Sequence, residues 1–419
     1  MNVKSIQNSK CIKNIEVTFV DLYNESKVLT IPKSRLSYAI KNGLKFDGSS
    51  ISKMKNVNQS DMEIYLDLKR QYILPNKNLM IFANTNYSYD ARKNLLLLEN
   101  DLTKKNIKVN IGAEIEFFMF DISLKEVFEN NKKSLSKNKI IRTINKKNKK
   151  IKYNKIINNY AKSLDCNQVF DNLKYYDYDE NRYFNVLNDV TEFCKNTNLI
   201  VEQFHHECGT NQFELDFKFS SPTETADNLI FLKNIITHFA KKHNLYACFL
   251  PKPLKKESGS GMHINISAYK NKSNIFYDKN DKFHLSSLAY NFIDGIFNHI
   301  NSITAVANPI KNSYQRLLAG CECPTKIDCN ANDRTSLIRI PSASKNATRI
   351  ELRSADISCN PYLTFLAVIK SGFEFLLNEN WKKDFKKYVK LNKLPKSLSY
   401  AKQCLKNDKY LSTIVPQNY

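Results

Sequence analysis

The segment KVNIGAEIEFFMFD (108–121) alternates its side chains so regularly that it reads as a strand with two unlike faces. Alternate residues of a strand share a face, so Ile111, Ala113, Ile115, Phe117 and Met119 form an apolar side and Glu114 and Glu116 stand together on the other. Two neighbouring carboxylates repel each other unless something cationic lies between them. Three more segments repeat the pattern. NQFELDFKF (211–219) sets Phe213, Leu215, Phe217 and Phe219 on one face and Glu214 on the other. GMHINIS (261–267) sets His263, Asn265 and Ser267 against Ile264 and Ile266, and TRIELRS (348–354) sets Arg349, Glu351 and Arg353 against Ile350 and Leu352. One such strand alone would be the solvated face of an antiparallel sheet. Four of them, with acid, imidazole and guanidinium recurring, point to a shared site. Oxygen donors with a single imidazole suit a hard cation such as Mg2+ or Mn2+. Arginine forks match phosphate oxygens, and metal with arginine implies phosphoryl transfer.

These strands belong to a mixed order of elements. NIEVTFVDLY and SKVLTIP read as two strands, RLSYAIKNG as a helix ending at Gly43, and EIYLDL, YILP and LMIFANTNY as further strands up to about residue 90. A helix over ARKNLLLLENDLTKK leads into the first acidic strand, and strands and long helices then alternate to the C-terminal part. The expected fold is α+β, a small N-terminal domain over 1–95 and a larger domain over 96–419 with a curved antiparallel sheet flanked by helices. Residues 122–165, rich in Lys and Asn, are expected to be a surface insertion.

The chain of 419 residues is long enough for a large core, and 42% hydrophobic content excludes a wholly disordered protein. No apolar run approaches the roughly 20 residues of a membrane span, and no apolar h-region opens the chain. Ten scattered cysteines without CxxC spacing read as reduced thiols, so the expected location is cytoplasmic. A formal charge of +23 would suit nucleic acid, but the excess sits in Lys/Asn-rich stretches such as 130–158, and compositional drift accounts for it.

The motifs FDGSSI (46–51), GAEIEFF, HHECGTNQFELDFKF, PKPLKKESGSGMHINIS, NPIKNSYQRL, ANDRTSLIRIPSAS, TRIELRSAD and NPYL stand in the order seen in class I glutamine synthetases. The chain resembles that family from residue 14 to about 375, apart from the insertion, and is most similar to its shorter alpha-type members. The resemblance implies a β-grasp-like N-terminal domain and ATP-dependent ligation of ammonia to L-glutamate through γ-glutamyl phosphate. It implies two or more Mg2+ or Mn2+ ions per site and ATP as co-substrate. Glu116, Glu207 and Glu214 match the ligands of one metal, and Glu114, His263 and Glu351 those of another. Ser258, Gly259, Arg316 and Arg353 match glutamate-binding positions, and Arg334, Arg339 and Lys345 the clamp on the nucleotide phosphates. Glu202, Phe219, Asn265 and Ser267 match positions near the nucleotide. Glu322 matches a flap carboxylate that closes the site and helps deprotonate ammonium. Asp47 and Ser50 match ammonium-site residues supplied by a neighbouring subunit, which implies a homo-oligomer, a hexameric ring or stacked dodecamer.

Departures from the family pattern are visible as well. Val169 stands where a tyrosine of the ammonium site is usual, Ser258 replaces an Asn, Cys321 a Tyr, and Asn56 an Arg linked to feedback control. The chain stops at VPQNY, short of the family's usual extension, which puts ring stacking in question. A γ-glutamyl-amine ligase shares the metals but usually lacks the ammonium pocket, and a non-catalytic relative would have lost ligands; Asp47, Ser50, Glu322 and six complete metal positions argue against both.

Overall fold

The computed structural model describes residues 1–122, 171, 173–318, 323–331, 333–343, 345–376 and 393–419. The expected insertion beyond Ile122, together with Val169, Cys321 and Glu322, lies outside the described residues.

A short helix α1 (Val3–Asn8) precedes a five-stranded sheet of β1 (Asn14–Val20), β2 (Ser26–Pro32), β3 (Leu44–Asp47), β4 (Asp61–Ile73) and β5 (Leu79–Thr85), ordered β2-β1-β5-β4-β3. β1 and β5 run parallel and the other pairs antiparallel. Helix α2 (Leu36–Asn42) stops just before Gly43, as the sequence indicates. The segments EIYLDL and YILP are not separate strands. β4 is continuous, and a register shift between Leu66 and Gln71 absorbs the break in alternation as a bulge does.

The second sheet comprises β6 (Ile107–Asp121), β7 (Val201–His206), β8 (Gln212–Phe217), β9 (Leu245–Cys248), β10 (Ile264–Lys270), β11 (Ser273–Asn274), β12 (Cys329–Asn330), β13 (Ile338–Arg339) and β14 (Ile350–Leu352). Its order is β12-β13-β14-β10-β6-β8-β7, with β9 also on β6 and β11 on β10. The pairs are antiparallel except the two-residue pair β12–β13, so the sheet is mixed at that edge. β6 is its spine: residues 107–113 pair with β10, 114–118 with β8 and 118–121 with β9. The expected apolar face of β6 is buried throughout, Ile111, Ile115, Phe117 and Met119 all at 0% exposure. Phe219 departs from expectation. β8 ends at Phe217, and Phe219 is 53% exposed, off the apolar face assigned to it.

The remaining helices are α3 (Ala91–Lys104), α4 (Arg182–Cys194), α5 (Pro222–Lys242), α6 (Ser287–Ala307), α7 (Ser313–Arg316), α8 (Pro361–Leu376) and α9 (Leu398–Asn407). Side chains at their N-caps fix several of them: Asp90 accepts the Lys93 N–H, Ser286 that of Ala289 and Ser397 that of Tyr400. α8 packs along α6 so closely that a Cβ on Gly295 would lie 2.1 Å from the Ser371 carbonyl oxygen. Both helices are apolar on most sides and form the centre of the larger unit.

A buried ionic knot ties the N-terminal sheet to the helices of the larger unit. Asp227 on α5, at 0% exposure, accepts hydrogen bonds from Arg92 Nε (2.8 Å) and Nη2 (2.8 Å), Arg70 Nε (3.0 Å) and the Tyr362 hydroxyl (2.6 Å). Arg92 also reaches Asp67, and Arg70 reaches Glu224. Arg70 and Asp67 belong to β4, Arg92 to α3 and Tyr362 to α8, so the knot joins the N-terminal sheet to three helices of the larger unit.

Candidate active site

The acidic faces of the second sheet meet in one cleft. Register puts Glu116 directly opposite Glu214, and His205 of β7 opposite Glu214 on its other side. β14 lies beside β10 and brings Glu351 next to Asn265, while His263 sits one residue before β10 begins. Glu114, Glu116, Glu207, Glu214, His263 and Glu351, drawn from four separated segments, therefore all line a single cleft.

His263 is the hub. Its Nδ1 lies 2.5 Å from Glu114 Oε2 and 3.6 Å from Glu351 Oε1, and its Nε2 lies 3.5 Å from Glu116 Oε1. The Gly261 N–H donates to Glu116 Oε2 at 2.7 Å. A Cβ on Gly261 would come within 2.6 Å of Arg316 Nη2 and 3.0 Å of Glu116 Oε1, so a side chain here would push those groups out of place.

Three sets of donor atoms lie within 4.8 Å of one another: Glu114, His263 and Glu351; His205, Glu207 and Glu214; and Glu114, Glu116 and Glu214. Unit charges 4 Å apart cost about 4 kcal/mol at an effective dielectric of 20. Neighbouring arginines offset only part of that repulsion. Burial, with Glu114 and Glu116 nearby, pushes the Glu214 carboxyl up to about 12. Burial and Glu114 push Asp216 to about 7, and burial raises Glu114 and Glu116 too. Burial and the neighbouring Arg353 hold His263 down at about 4, a neutral ring able to offer a lone pair. A buried carboxylate cluster with a neutral imidazole and mostly oxygen donors fits one or more hard divalent cations.

Arginines line the same cleft. Arg316, Arg334, Arg339 and Arg353 all contribute to its wall, as do Ser258 and Gly259. Arg353 Nη1 lies 2.5 Å from Glu351 Oε1 and Arg339 Nη1 lies 2.9 Å from Glu351 Oε2, so the carboxylate orients both forks. Arg353 Nε is buried without a hydrogen-bond partner, a donor left for a bound anion.

A second chamber of about 410 Å³ adjoins the cleft and is lined by Glu202, Phe219, Asn265, Ser267 and Arg349, among others. That volume falls within the roughly 300–1,000 Å³ of small-ligand sites. Phe219, off the apolar core, is part of this wall. Arg349 Nε donates to Asn265 Oδ1 at 3.0 Å. Lys345 does not line the chamber; it opens the turn whose Asn346 and Ala347 do. Asp47 and Ser50 do not line this cleft in the chain's own fold. They sit exposed at the end of β3, Asp47 Oδ2 accepting from the Ser50 hydroxyl at 2.6 Å.

Several lining residues were not expected. Tyr175 and Tyr176 line the cleft, their hydroxyls 3.0 Å apart and their rings 5.5 and 4.7 Å from that of His205. Tyr175 also hydrogen-bonds to Arg334. His205 escaped notice because β7 has a register shift between Val201 and Gln203, which spoils its alternation. The adjacent His205 and His206 were visible, but nothing in the spacing distinguishes His206, buried against Asp171 at 3.0 Å, from His205 in the cleft.

Residues 88–419 match the family model of the glutamine synthetase catalytic domain, and residues 11–85 that of the glutamine synthetase beta-Grasp domain. The glutamine synthetase of Methanosarcina mazei is 32% identical over 380 residues, covering 88% of this chain and 77% of that protein. The glutamine synthetase of Pyrococcus furiosus is 32% identical over 426 residues, covering 97% of this chain and 88% of that one. Among solved structures, a chain titled "Apo GmaS without ligand" matches with a TM-score of 0.78 at 25% identity, covering 99% of this chain and 92% of its own. A cryo-EM structure of Plasmodium falciparum glutamine synthetase has a TM-score of 0.77 at 22% identity, with 99% and 92% covered, a likeness of fold.

Proposed function

This chain belongs to the glutamine synthetase family, and on that premise we propose that its cleft joins ammonia to the γ-carboxylate of L-glutamate at the expense of ATP. It is an ATP-dependent ligase. The observation that best supports the reaction is the mixed lining of one cleft, six metal-type donors facing four arginines beside an aromatic and amide chamber.

In this reading Glu114, His263 and Glu351 hold one Mg2+ or Mn2+, and Glu116, Glu207 and Glu214 another, with His205 adjoining. Bound there, such ions neutralise carboxylate and phosphate charge and polarise phosphoryl oxygens. Arg316 and Arg353, with Ser258 and Gly259, orient glutamate. Arg334, Arg339 and Lys345 meet the phosphates, and Glu202, Phe219, Asn265 and Ser267 the nucleoside. A glutamate γ-oxygen attacks the terminal phosphorus of ATP, ADP leaves, and γ-glutamyl phosphate forms. Ammonium gives up a proton to a carboxylate, the role assigned to Glu322, and its nitrogen then displaces phosphate from the acyl carbon. Water has to be excluded meanwhile, since it would hydrolyse the acyl phosphate.

Asp47 and Ser50 enter the cleft of a neighbouring subunit in a ring-shaped homo-oligomer, which reconciles their exposure here with an ammonium-binding role. Cytoplasmic residence fits eight described cysteines that are all free of disulfides. Among the described residues, no helix is long and apolar enough to cross a membrane.

The test is phosphate release from ATP with glutamate present, comparing ammonium against methylamine and ethanolamine. Ammonium should give the highest kcat/KM. A small amine that outcompetes it would move the reading to a γ-glutamyl-amine ligase, and no glutamate-dependent release at all would refute both.

A further inference from the structure

Three residues line both the acid- and arginine-rich cleft and the second chamber: Glu114, Gln203 and Asp216. They form the threshold between the two spaces. Asp216 on β8 lies in register with Glu114 of β6 on one side and Gln203 of β7 on the other. The Gln203 side-chain amide donates to Asp216 Oδ2 at 2.6 Å, which fixes the carboxylate plane. The other oxygen, Oδ1, is buried without a hydrogen-bond partner. A buried acceptor left unpaired is costly, and a group bound at the threshold can satisfy it.

On the reading that ATP spans the two spaces, its sugar and phosphates cross this threshold. We propose that Asp216 is a positioning residue for the nucleotide, accepting through Oδ1 a hydrogen bond from an O–H group that arrives with it. A bare phosphate oxygen offers no proton and would be repelled by Asp216 and Glu114 together. In its ionised form Asp216 can only accept, so its partner is a donor, and the nucleotide brings two kinds of O–H: a ribose hydroxyl and a water of its hydrated divalent cation. Gln203 keeps the carboxylate from turning its free oxygen away.

Asp216→Asn tests this, because it keeps the side chain's shape and an acceptor for Gln203 while placing an N–H donor where Oδ1 was. Calorimetry on the full chain with Mg2+ should show ATP binding weakened about tenfold, with glutamate binding within twofold of wild type; a loss confined to nucleotide is what a merely structural role would not give. If the donor is the ribose, 2′-deoxy-ATP or 3′-deoxy-ATP should bind the wild type about tenfold more weakly than ATP does and show no further loss in the variant. If it is the cation's water, the deoxy analogues should match ATP and the Mg2+ midpoint should shift instead. Gln203→Met, at an exposed position, should weaken nucleotide binding in the same selective way, and it stands in should Asp216→Asn fail to fold. Wild-type affinities for ATP and Mg2+ in the folded variants, or an equal loss for glutamate, would overturn the proposal. A wild-type protein that binds no ATP would instead remove the reading on which it rests.

Discussion

His263 Nδ1 lies 2.5 Å from Glu114 Oε2, although the two residues stand 149 positions apart in the chain, Glu114 on β6 and His263 just before β10, which pairs with β6. Their meeting defines one of the donor trios, completed by Glu351. His263→Ala should weaken Mn2+ binding, followed by calorimetry or the loss of free Mn2+ signal, by about tenfold or more, since it removes the only nitrogen donor of that trio. The fold should survive. Unchanged Mn2+ affinity would dissociate the trio from metal binding.

Gly261→Ala should cut glutamate- and ammonium-dependent phosphate release by roughly a hundredfold, because displacement of catalytic groups by about 1 Å is enough for that. The added methyl meets Arg316, Glu116 and His263 together. Circular dichroism and the unfolding midpoint should change little by comparison, and near-normal turnover would show that the loop can give way.

Asp227→Ala should lower stability by about 3–5 kcal/mol, the usual consequence of leaving buried charge without its partner. Arg92, at 2% exposure, would lose both of its bonds to that carboxylate. Denaturant unfolding followed by circular dichroism checks this, and a shift smaller than about 1 kcal/mol would count against it.

His299 on α6 holds Asp408 through Nδ1 (2.7 Å) and Glu374 of α8 through Nε2 (2.5 Å), with Lys370 and Tyr410 close by. Burial opposes its charge, but the hydrogen bonds its ring N–H groups donate to both carboxylates outweigh that and raise its pKa above the ordinary 6.5. Asp408, despite burial, is carried down to about 2 by His299 and backbone N–H groups. A raised histidine stabilises fully below its unfolded value and loses that contribution as pH rises through the folded one; the lowered aspartate contributes above its ordinary 3.8 and fails only as pH falls towards 2. Stability should therefore decline from mildly acidic to alkaline pH, and His299→Gln should flatten that decline at a cost of about 1.5–3 kcal/mol at pH 6. Parallel slopes for wild type and variant in thermal melts would contradict this.

Asp47→Ala and Glu214→Gln chains, each inactive alone, should recover activity when denatured together and refolded as a mixture, because a shared site can then draw both intact groups from different chains. No recovery in mixed oligomers would put Asp47 outside the site.

Much of the cleft was legible because period-two alternation fixes which side a residue takes, and it held for Glu114, Glu116, Glu214, Glu351 and the buried partners between them. It failed where a strand ended or bulged. Phe219 continues the alternation of β8 on paper, but the strand stops at Phe217, before that next position, and Phe219 is left 53% exposed. His205 and Gln203 were hidden by the irregular register of β7. The ionic knot was illegible for another reason: Arg70, Arg92 and Asp227 are distant in sequence, and nothing local separates a buried arginine from one at the surface.

The spine strand β6 carries its carboxylates and its buried apolar residues on alternate positions, with three different strands locked to its edges. Insertion or deletion is thereby a different kind of event from substitution. A single residue gained or lost near Gly112 would turn Glu114 and Glu116 into the core and bring Ile115 and Phe117 to the cleft, exchanging cleft-facing and core-facing positions where the carboxylates stand. Length variation among relatives of this chain should therefore accumulate in the connections, and the count of residues along β6 should behave as a fixed ruler.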